Sequence, residues 1–238
     1  MSNSKELLAT ENLTKRFGGL TAVDSIDWSI TGEQVECIVG PNGAGKSTFL
    51  KLVMGIHAPT SGSIRYKGDE ITNKESYKRV LSGMSMKFQV PSVYEDLTVR
   101  ENIRVAAQPH HDDVGTVIEQ VMSQVQLEDQ AKNRAGNLSH GLKQWLEIGM
   151  STVSNPDLLL LDEPTAGMSV DETEETAELL QELRDSRSFG LVIIDHDMDF
   201  IEQISESVTV FHQGKVFMRG TMDEVKQDEE VQRIYLGK

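Results

Sequence analysis

Lys46, Ser47 and Thr48 follow the run Gly40-Pro41-Asn42-Gly43-Ala44-Gly45. A glycine, four intervening residues, a second glycine, a lysine and a hydroxyl residue have the spacing of a loop that holds phosphate. Glycines let the backbone turn tightly and bring N–H groups against phosphate oxygens. Lys46 adds a full charge at the outer phosphates, and Ser47 offers a hydroxyl to magnesium. The ligand class this predicts is a nucleoside triphosphate with magnesium, held by Gly40 through Thr48. A turn alone gives no reason for Lys and Ser to stand after its last glycine.

Other residues extend the chemistry. Asp162-Glu163 ends the apolar run Leu158–Leu161 and precedes Pro164. Asp162 can hold magnesium through water, and Glu163 can orient or deprotonate an attacking water. Asn137 to Gln144 opens an expected helix through Trp145, Leu146, Ile148 and Met150. Ser139 is placed to cap that helix, and its positive end suits a γ-phosphate. Asp195-His196-Asp197 comes just past Leu191–Ile194, and Gln89 follows Met84-Ser85-Met86-Lys87-Phe88. His110-His111 beside Asp112-Asp113 reads as a solvated loop, since no further ligand lies at metal-site spacing.

These residues need strands and helices behind them. Val35–Val39 predicts a buried strand running into the loop, and Lys46 onward predicts a helix through Phe49, Leu50, Leu52, Val53 and Met54. Strands are predicted at Leu7–Ala9 and Ile26–Ile30, and a pair of short strands around Lys67-Gly68-Asp69, giving an antiparallel layer beside the loop strand. From about Pro91 to Asn155 the pattern turns helical: Leu97, Val99, Ile103 and Val105, then Val114, Val117, Ile118, Val121, Met122 and Val125, with a loop at Gln108–Asp113. Strands return at Leu158–Leu161 and Leu191–Ile194, around an acidic helix at Asp171–Arg184. A hairpin is expected across His212-Gln213-Gly214, and a final helix over Asp223–Tyr235.

Composition excludes several classes. The chain has 238 residues, 38% apolar, with a net charge of −15. That charge argues against a nucleic-acid surface, which needs a basic footprint. The single cysteine, Cys37, excludes a disulfide within the chain and suits a small buried residue. The polar start Met1–Lys5 predicts no export signal. No apolar run reaches the length of a membrane helix, so a membrane role would come through a partner.

Taken in order, the motifs resemble the ATP-binding cassette (ABC) family. Its hallmark reads Leu-Ser-Gly-Gly-Gln where this chain has Leu138-Ser139-His140-Gly141-Leu142. The resemblance implies an α/β fold, a P-loop NTPase ABC ATPase core with an antiparallel β layer and a helical subdomain. It implies one nucleotide-binding domain over 1–238: the core with its β layer at about 1–90 and 156–238, and a helical subdomain at about 91–155 carrying the signature. ATP and Mg2+ are the implied cofactors, with Ser47, Gln89 and Asp162 at the metal and Phe17 stacked on adenine. Lys46, Glu163 and His196 become the catalytic residues, His196 touching the γ-phosphate and holding Glu163. Ser139, His140, Gly141 and Leu142 would contact ATP bound by a partner cassette.

The implied assembly is a head-to-tail pair of cassettes, homo- or heterodimeric, on two integral membrane permease subunits. A solute-binding protein acts indirectly, no nucleic acid takes part, and the chain sits at the cytoplasmic face of the inner membrane. Gln89 to Arg100, including Tyr94 and Leu97, would face the permease. Within the family the chain looks similar to the branched-chain amino acid and urea uptake branch, nearest its urea-type cassette. The segments behind this are Leu138–Gly141, Lys143–Met150, Val208–Gly214 and Tyr235–Lys238. The implied function is ATP hydrolysis driving uptake of urea or a short-chain amide. The alternatives are a branched-chain amino acid importer, then a lipopolysaccharide-export cassette or a soluble ABC ATPase. Leu142 stands where the family usually has Gln, and Ser169 where many members have an Asp linking the two sites.

Overall fold

The computed structural model describes residues 6–89 and 92–236. The expectations for Met1–Lys5, Pro91 and Gly237-Lys238 lie outside the described residues. In chain order the first half holds β1 (Glu6–Phe17), β2 (Leu20–Thr31), β3 (Val35–Val39), α1 (Lys46–Val53), β4 (Ser61–Tyr66), β5 (Asp69–Glu70), α2 (Ser76–Leu81), β6 (Met84–Lys87), α3 (Val99–Ala107) and α4 (Val114–Gln124). The second half holds α5 (His140–Thr152), β7 (Leu158–Asp162), α6 (Val170–Ser186), β8 (Gly190–Ile194), α7 (Met198–Ile204), β9 (Ser207–His212), β10 (Lys215–Gly220), α8 (Met222–Gln227) and α9 (Glu229–Leu236).

One sheet is antiparallel, in the order β2-β1-β4-β5; the other runs β10-β9-β3-β8-β7-β6. Strands β9, β3, β8, β7 and β6 are mutually parallel, and only β10 joins antiparallel. β3, β7 and β8 are buried along their whole length. Strands covered on both faces read as largely apolar runs; β7 and β8 do so up to Asp162, while β3 carries the buried Glu36, which pairs with Arg219 at 2.6 Å. Their alternation sorts side chains into two cores. Cys37, Leu159, Leu161, Leu191 and Ile193 face the helical side with α3 to α7. Ile38, Leu158, Leu160, Val192 and Ile194 face α1 and the antiparallel sheet. Burial among apolar side chains pushes the Cys37 thiol well up, so it stays protonated and inert.

Several buried polar groups hold elements together, Arg79 and the Lys87–Glu147 pair among them. Arg79, at the end of α2, donates to the carbonyls of Leu52 (2.9 Å), Val53 (2.6 Å), Thr72 (3.0 Å) and Lys74 (3.0 Å). It thereby satisfies the last turn of α1, whose carbonyls have no partner within the helix. Lys87, at the end of β6, lies 3.5 Å from Glu147 of α5, both buried. Glu147 also accepts from the Ser92 N–H at 2.9 Å.

Three expectations need correction. The strand at Leu7–Ala9 is the start of β1, which continues to Phe17; a register shift between Thr10 and Leu13 breaks its alternation. The strand at Ile26–Ile30 is the second half of β2. The final helix divides into α8 and α9 at Asp228, whose extended backbone ends one helix while its carboxylate accepts from Glu230 N and Val231 N, both 2.9 Å. No helix among the described residues is long and apolar enough to cross a membrane.

Candidate functional site

The carboxyl ends of β3, β7 and β8 lie side by side in the parallel sheet. Such edges are where open α/β sheets bind ligands. Each strand delivers one piece of the site: the loop 40–48 after β3, Asp162-Glu163 at β7, and Asp195-His196 after β8. The loop turns tightly because the backbone demands glycine. Gly40 and Gly45 have φ of 147° and 103°, and a Cβ on either would lie 2.2 Å from a backbone oxygen, of Phe211 and Ala22 respectively. Gly45 leads directly into α1, so the loop sits at that helix's positive end.

Lys46 Nζ folds back over the loop and donates to Gly40 O at 2.6 Å and Pro41 O at 3.2 Å. Burial depresses its pKa, opposed by the nearby Glu163 and Asp162 carboxylates. Ser47 Oγ donates to Asp162 Oδ1 at 3.2 Å, joining the loop to β7. Burial raises the Asp162 carboxyl, the Glu163 charge adds to this, and the Ser47 bond opposes both. A hydroxyl and a carboxylate brought together from two elements form the hard-oxygen donor set that magnesium takes, so these residues fit the ion. Among the described residues there is no cluster of His, Cys, Asp and Glu that would hold a metal by itself, the His110–Asp113 loop included. His111 instead bonds Val153 O at 2.5 Å.

Glu163 is the junction of the site. Its φ of 51° is left-handed, a sparsely used region for a residue with a Cβ, and strain of that kind gathers at functional positions. Glu163 N donates to Ile194 O at 2.7 Å, fixing the turn on β8. One carboxylate oxygen accepts from Gln89 Nε2 at 2.7 Å, and the other meets His196 Nε2 at 2.7 Å. Asp195 holds the neighbouring turns, accepting from Thr165 N (3.1 Å), Thr165 Oγ1 (2.7 Å), His196 N (2.7 Å) and Asp197 N (3.1 Å). Lys46, Ser47, Gln89 and Glu163 line one cleft of about 510 Å³ with Phe17, Asn42, Gly43, Ala44, Gly45 and Thr48. Phe17 is exposed at its rim, its ring edge-on to His57 with centroids 5.4 Å apart. The cleft thus combines the amides of a glycine-rich loop, a lysine, the Ser47 hydroxyl backed by the buried Asp162, the Glu163 carboxylate and an open aromatic face.

Ser139 to Leu142 stand elsewhere, at the start of α5 and outside this cleft. Ser139 caps α5, its Oγ accepting from Leu142 N at 3.3 Å. His140 Nε2 meets Ala166 O at 2.7 Å. Asp195 was singled out beside His196 without a role of its own, and Thr165, Lys87 and Glu147 escaped the reading of the sequence as parts of this architecture. A lysine and a glutamate in otherwise apolar stretches, Met84–Lys87 and Trp145–Ile148, were the available signals for the last two.

The family described as ABC transporter matches residues 23–166. The high-affinity branched-chain amino acid transport ATP-binding protein BraF of Pseudomonas aeruginosa is 31% identical over 252 residues, spanning 98% of this chain and 99% of that protein. LivG of Salmonella typhimurium, of the same description, is 31% identical over 255 residues, with the same spans. Among solved structures, a nucleotide-free ATP-binding cassette from an ABC transporter superposes with a TM-score of 0.89 at 27% identity, covering 98% of this chain and 100% of that one. A cassette in its ADP conformation gives the same TM-score, identity and coverage.

Proposed function

This chain belongs to the ABC transporter family, and from that premise we propose that it is the ATP-hydrolysing subunit of an importer. The observation that carries the site assignment is the Glu163 carboxylate, held by Gln89 on one oxygen and His196 on the other, each at 2.7 Å. Each carboxylate oxygen has two lone pairs, so the clamp leaves acceptors for water. Glu163 orients that water against the γ-phosphorus and takes its proton as the oxygen attacks, while the bond from that phosphorus to the β,γ-bridging oxygen breaks and ADP leaves with the electron pair. His196 and Gln89 fix the carboxylate, and His196 reaches the transferred phosphoryl group. Lys46 and the loop amides receive the phosphate charge, and Phe17 offers its face to adenine. Ser47, Asp162 and Gln89 would hold magnesium, which would neutralise phosphate charge. Catalysis of this kind is positioning plus electrostatics.

The remaining roles follow the same reading. Ser139, His140, Gly141 and Leu142 serve the nucleotide of a second cassette paired head-to-tail. The Gln89 to Arg100 surface meets one of two permease subunits at the cytoplasmic face of the inner membrane; Val90 and Pro91 within it lie outside the described residues. Residues 1–90 and 156–238 act as the ATP-binding core and 91–155 as a helical subdomain. The solute is urea or a short-chain amide, supported by the segments Leu138–Gly141, Lys143–Met150 and Val208–Gly214. Branched-chain amino acids are the second reading, favoured by the names of both relatives.

Two experiments test this. Glu163→Gln keeps the shape, exchanges one accepting oxygen for a donor NH2 and removes the base; it should bind ATP normally and lose about 10²–10⁴ of turnover. Turnover near the wild-type rate refutes the assignment. In cells lacking the chain, labelled urea and leucine uptake separate the two solutes. Loss of urea uptake alone, restored by the wild type and not by Glu163→Gln, supports the first reading; loss of leucine uptake supports the second.

A further inference from the structure

We infer that His140 is a positioning residue tying the start of α5 to the turn Ala166–Ser169, so that this chain's catalytic carboxylate and the surface it offers a partner's nucleotide move as one unit. The inference rests on the paired-cassette reading above and deepens it.

The bond is between His140 Nε2 and Ala166 O, at 2.7 Å. A carbonyl only accepts, so Nε2 carries the proton. The usual glycine of the signature has no side chain to make this bond. The turn is shaped to receive the ring: Gly167 has φ of 77°, and a Cβ there would come within 3.3 Å of His140 Nε2. One residue on, Gly141 packs so closely on Glu172 that a Cβ would lie 2.8 Å from its Oε1. Glu172 in turn accepts from Ser169 N at 2.9 Å, closing the capping box at the start of α6. The two segments therefore interlock through a side chain in each direction.

A second observation points to the same ring. Gln144, one turn along α5, is buried, and its Oε1 has no partner. Its Nε2 instead lies 3.3 Å from His140 Nε2, setting two N–H donors face to face. Turned end for end, the amide puts its oxygen beside the imidazole N–H, which Gln144 and Ala166 O then share.

The turn that His140 holds is coupled to the catalytic end. Ala166 N donates to Glu163 O at 3.3 Å and Met168 N to Thr165 O at 3.1 Å. Thr165 and His196 share the Asp195 carboxylate. In a head-to-tail pair, Ser139 to Leu142 serve the partner's nucleotide while Glu163 serves this chain's own. A tie between them within one chain links the two composite sites.

The test compares the full-length wild type with His140→Gly, His140→Phe and His140→Gln. Phe keeps a ring without a donor; Gln keeps an N–H at nearly the same reach. ADP affinity, set by the phosphate loop, reports that each variant is folded, and Trp145 Nε1 to Thr176 Oγ1 (2.9 Å) still anchors α5. Amide exchange at Ala166 and Met168 should quicken about three- to tenfold in Gly and Phe and stay near wild type in Gln. The Hill coefficient for ATP should fall towards one in the same two variants, with turnover reduced, and Gln should restore both. Unchanged exchange or an unchanged Hill coefficient in Gly and Phe overturns the inference, as does a Gln variant no better than Phe or a non-cooperative wild type that hydrolyses ATP. A wild type without any ATP hydrolysis removes the hydrolase reading instead, while exchange still tests the tie.

Discussion

The two ends of α1 each carry a buried cation, and they differ in what the cation does. At the amino end Lys46 shares space with the helix's positive pole, and among the described residues the carbonyls of Gly40 and Pro41 receive its protons. Cations belong at the other pole. At the carboxyl end Arg79 stands where the dipole favours it, and four carbonyls take its protons, two of them from the last turn of α1. Burial pushes the Arg79 guanidinium down only to about 10, so it stays charged at neutral pH. A buried cation that gives four of its five N–H donors to the carbonyls of neighbouring segments is structural. One placed against its own helix pole, beside Ser47 and Asp162, is arranged for an anion that brings the missing charge.

Removing each cation sharpens that contrast. Arg79→Met leaves buried carbonyls without a donor and should cost about 3 kcal/mol or more. In a chain of this size that lowers the melting temperature by roughly 6–12 °C, read by calorimetry without nucleotide, with ADP affinity in the surviving folded protein little changed. Lys46→Met should do the opposite. The depressed Lys46 pKa means that the folded state disfavours the ammonium: its contribution is favourable above 10.5 and is lost as pH falls through the lowered value. At neutral pH its loss therefore leaves stability equal or higher, while ATP affinity drops at least tenfold in a nucleotide titration. If both variants melt alike, the contrast fails.

Asp162→Asn gives the smallest effect, with a definite sign. Asp162 has a raised pKa, so the folded state favours its protonated form; that contribution is full below 3.8 and is lost as pH rises through the raised value. Asn keeps an oxygen for Ser47 without the charge. The variant should melt slightly above wild type at neutral pH and lose the advantage as pH falls towards 3.8, while magnesium-dependent turnover collapses. A melting profile parallel to wild type at every pH contradicts the assignment of burial as the cause.

Much of this was legible in the sequence because it is local. The loop Gly40–Thr48, the acid pair after four leucines and the Ser139 cap are contiguous strings with one physical reading each. β7 and β8 were visible because doubly buried strands are nearly continuous apolar runs, and β3 because only Glu36 interrupts its apolar run before the glycine-rich loop. β1 was seen only at its start, since its register shifts break the alternation by which a strand is recognised. The α8–α9 break carries neither Gly nor Pro; it depends on where the Asp228 carboxylate points. Arg79 could not be read as a helix cap, because its carbonyls on α1 lie 26 and 27 residues away. The Gln89–Glu163–His196 clamp joins residues 74 and 33 positions apart; the sequence supplied its members through resemblance, and their contact is a product of the sheet order.

The most direct test of the central claim is the melting temperature of wild type and Lys46→Met, each with and without magnesium and ATP at 100 times the wild-type dissociation constant. Binding at that ratio adds about 2.7 kcal/mol, roughly 5–10 °C here. The account predicts that rise for wild type, at most about half of it for Lys46→Met (about 1.4 kcal/mol at a tenfold loss of affinity), and a variant at or above wild type without nucleotide. A variant that melts well below wild type without nucleotide, or that still gains the full shift with it, contradicts the claim that Lys46 is placed for the anion and not for the fold.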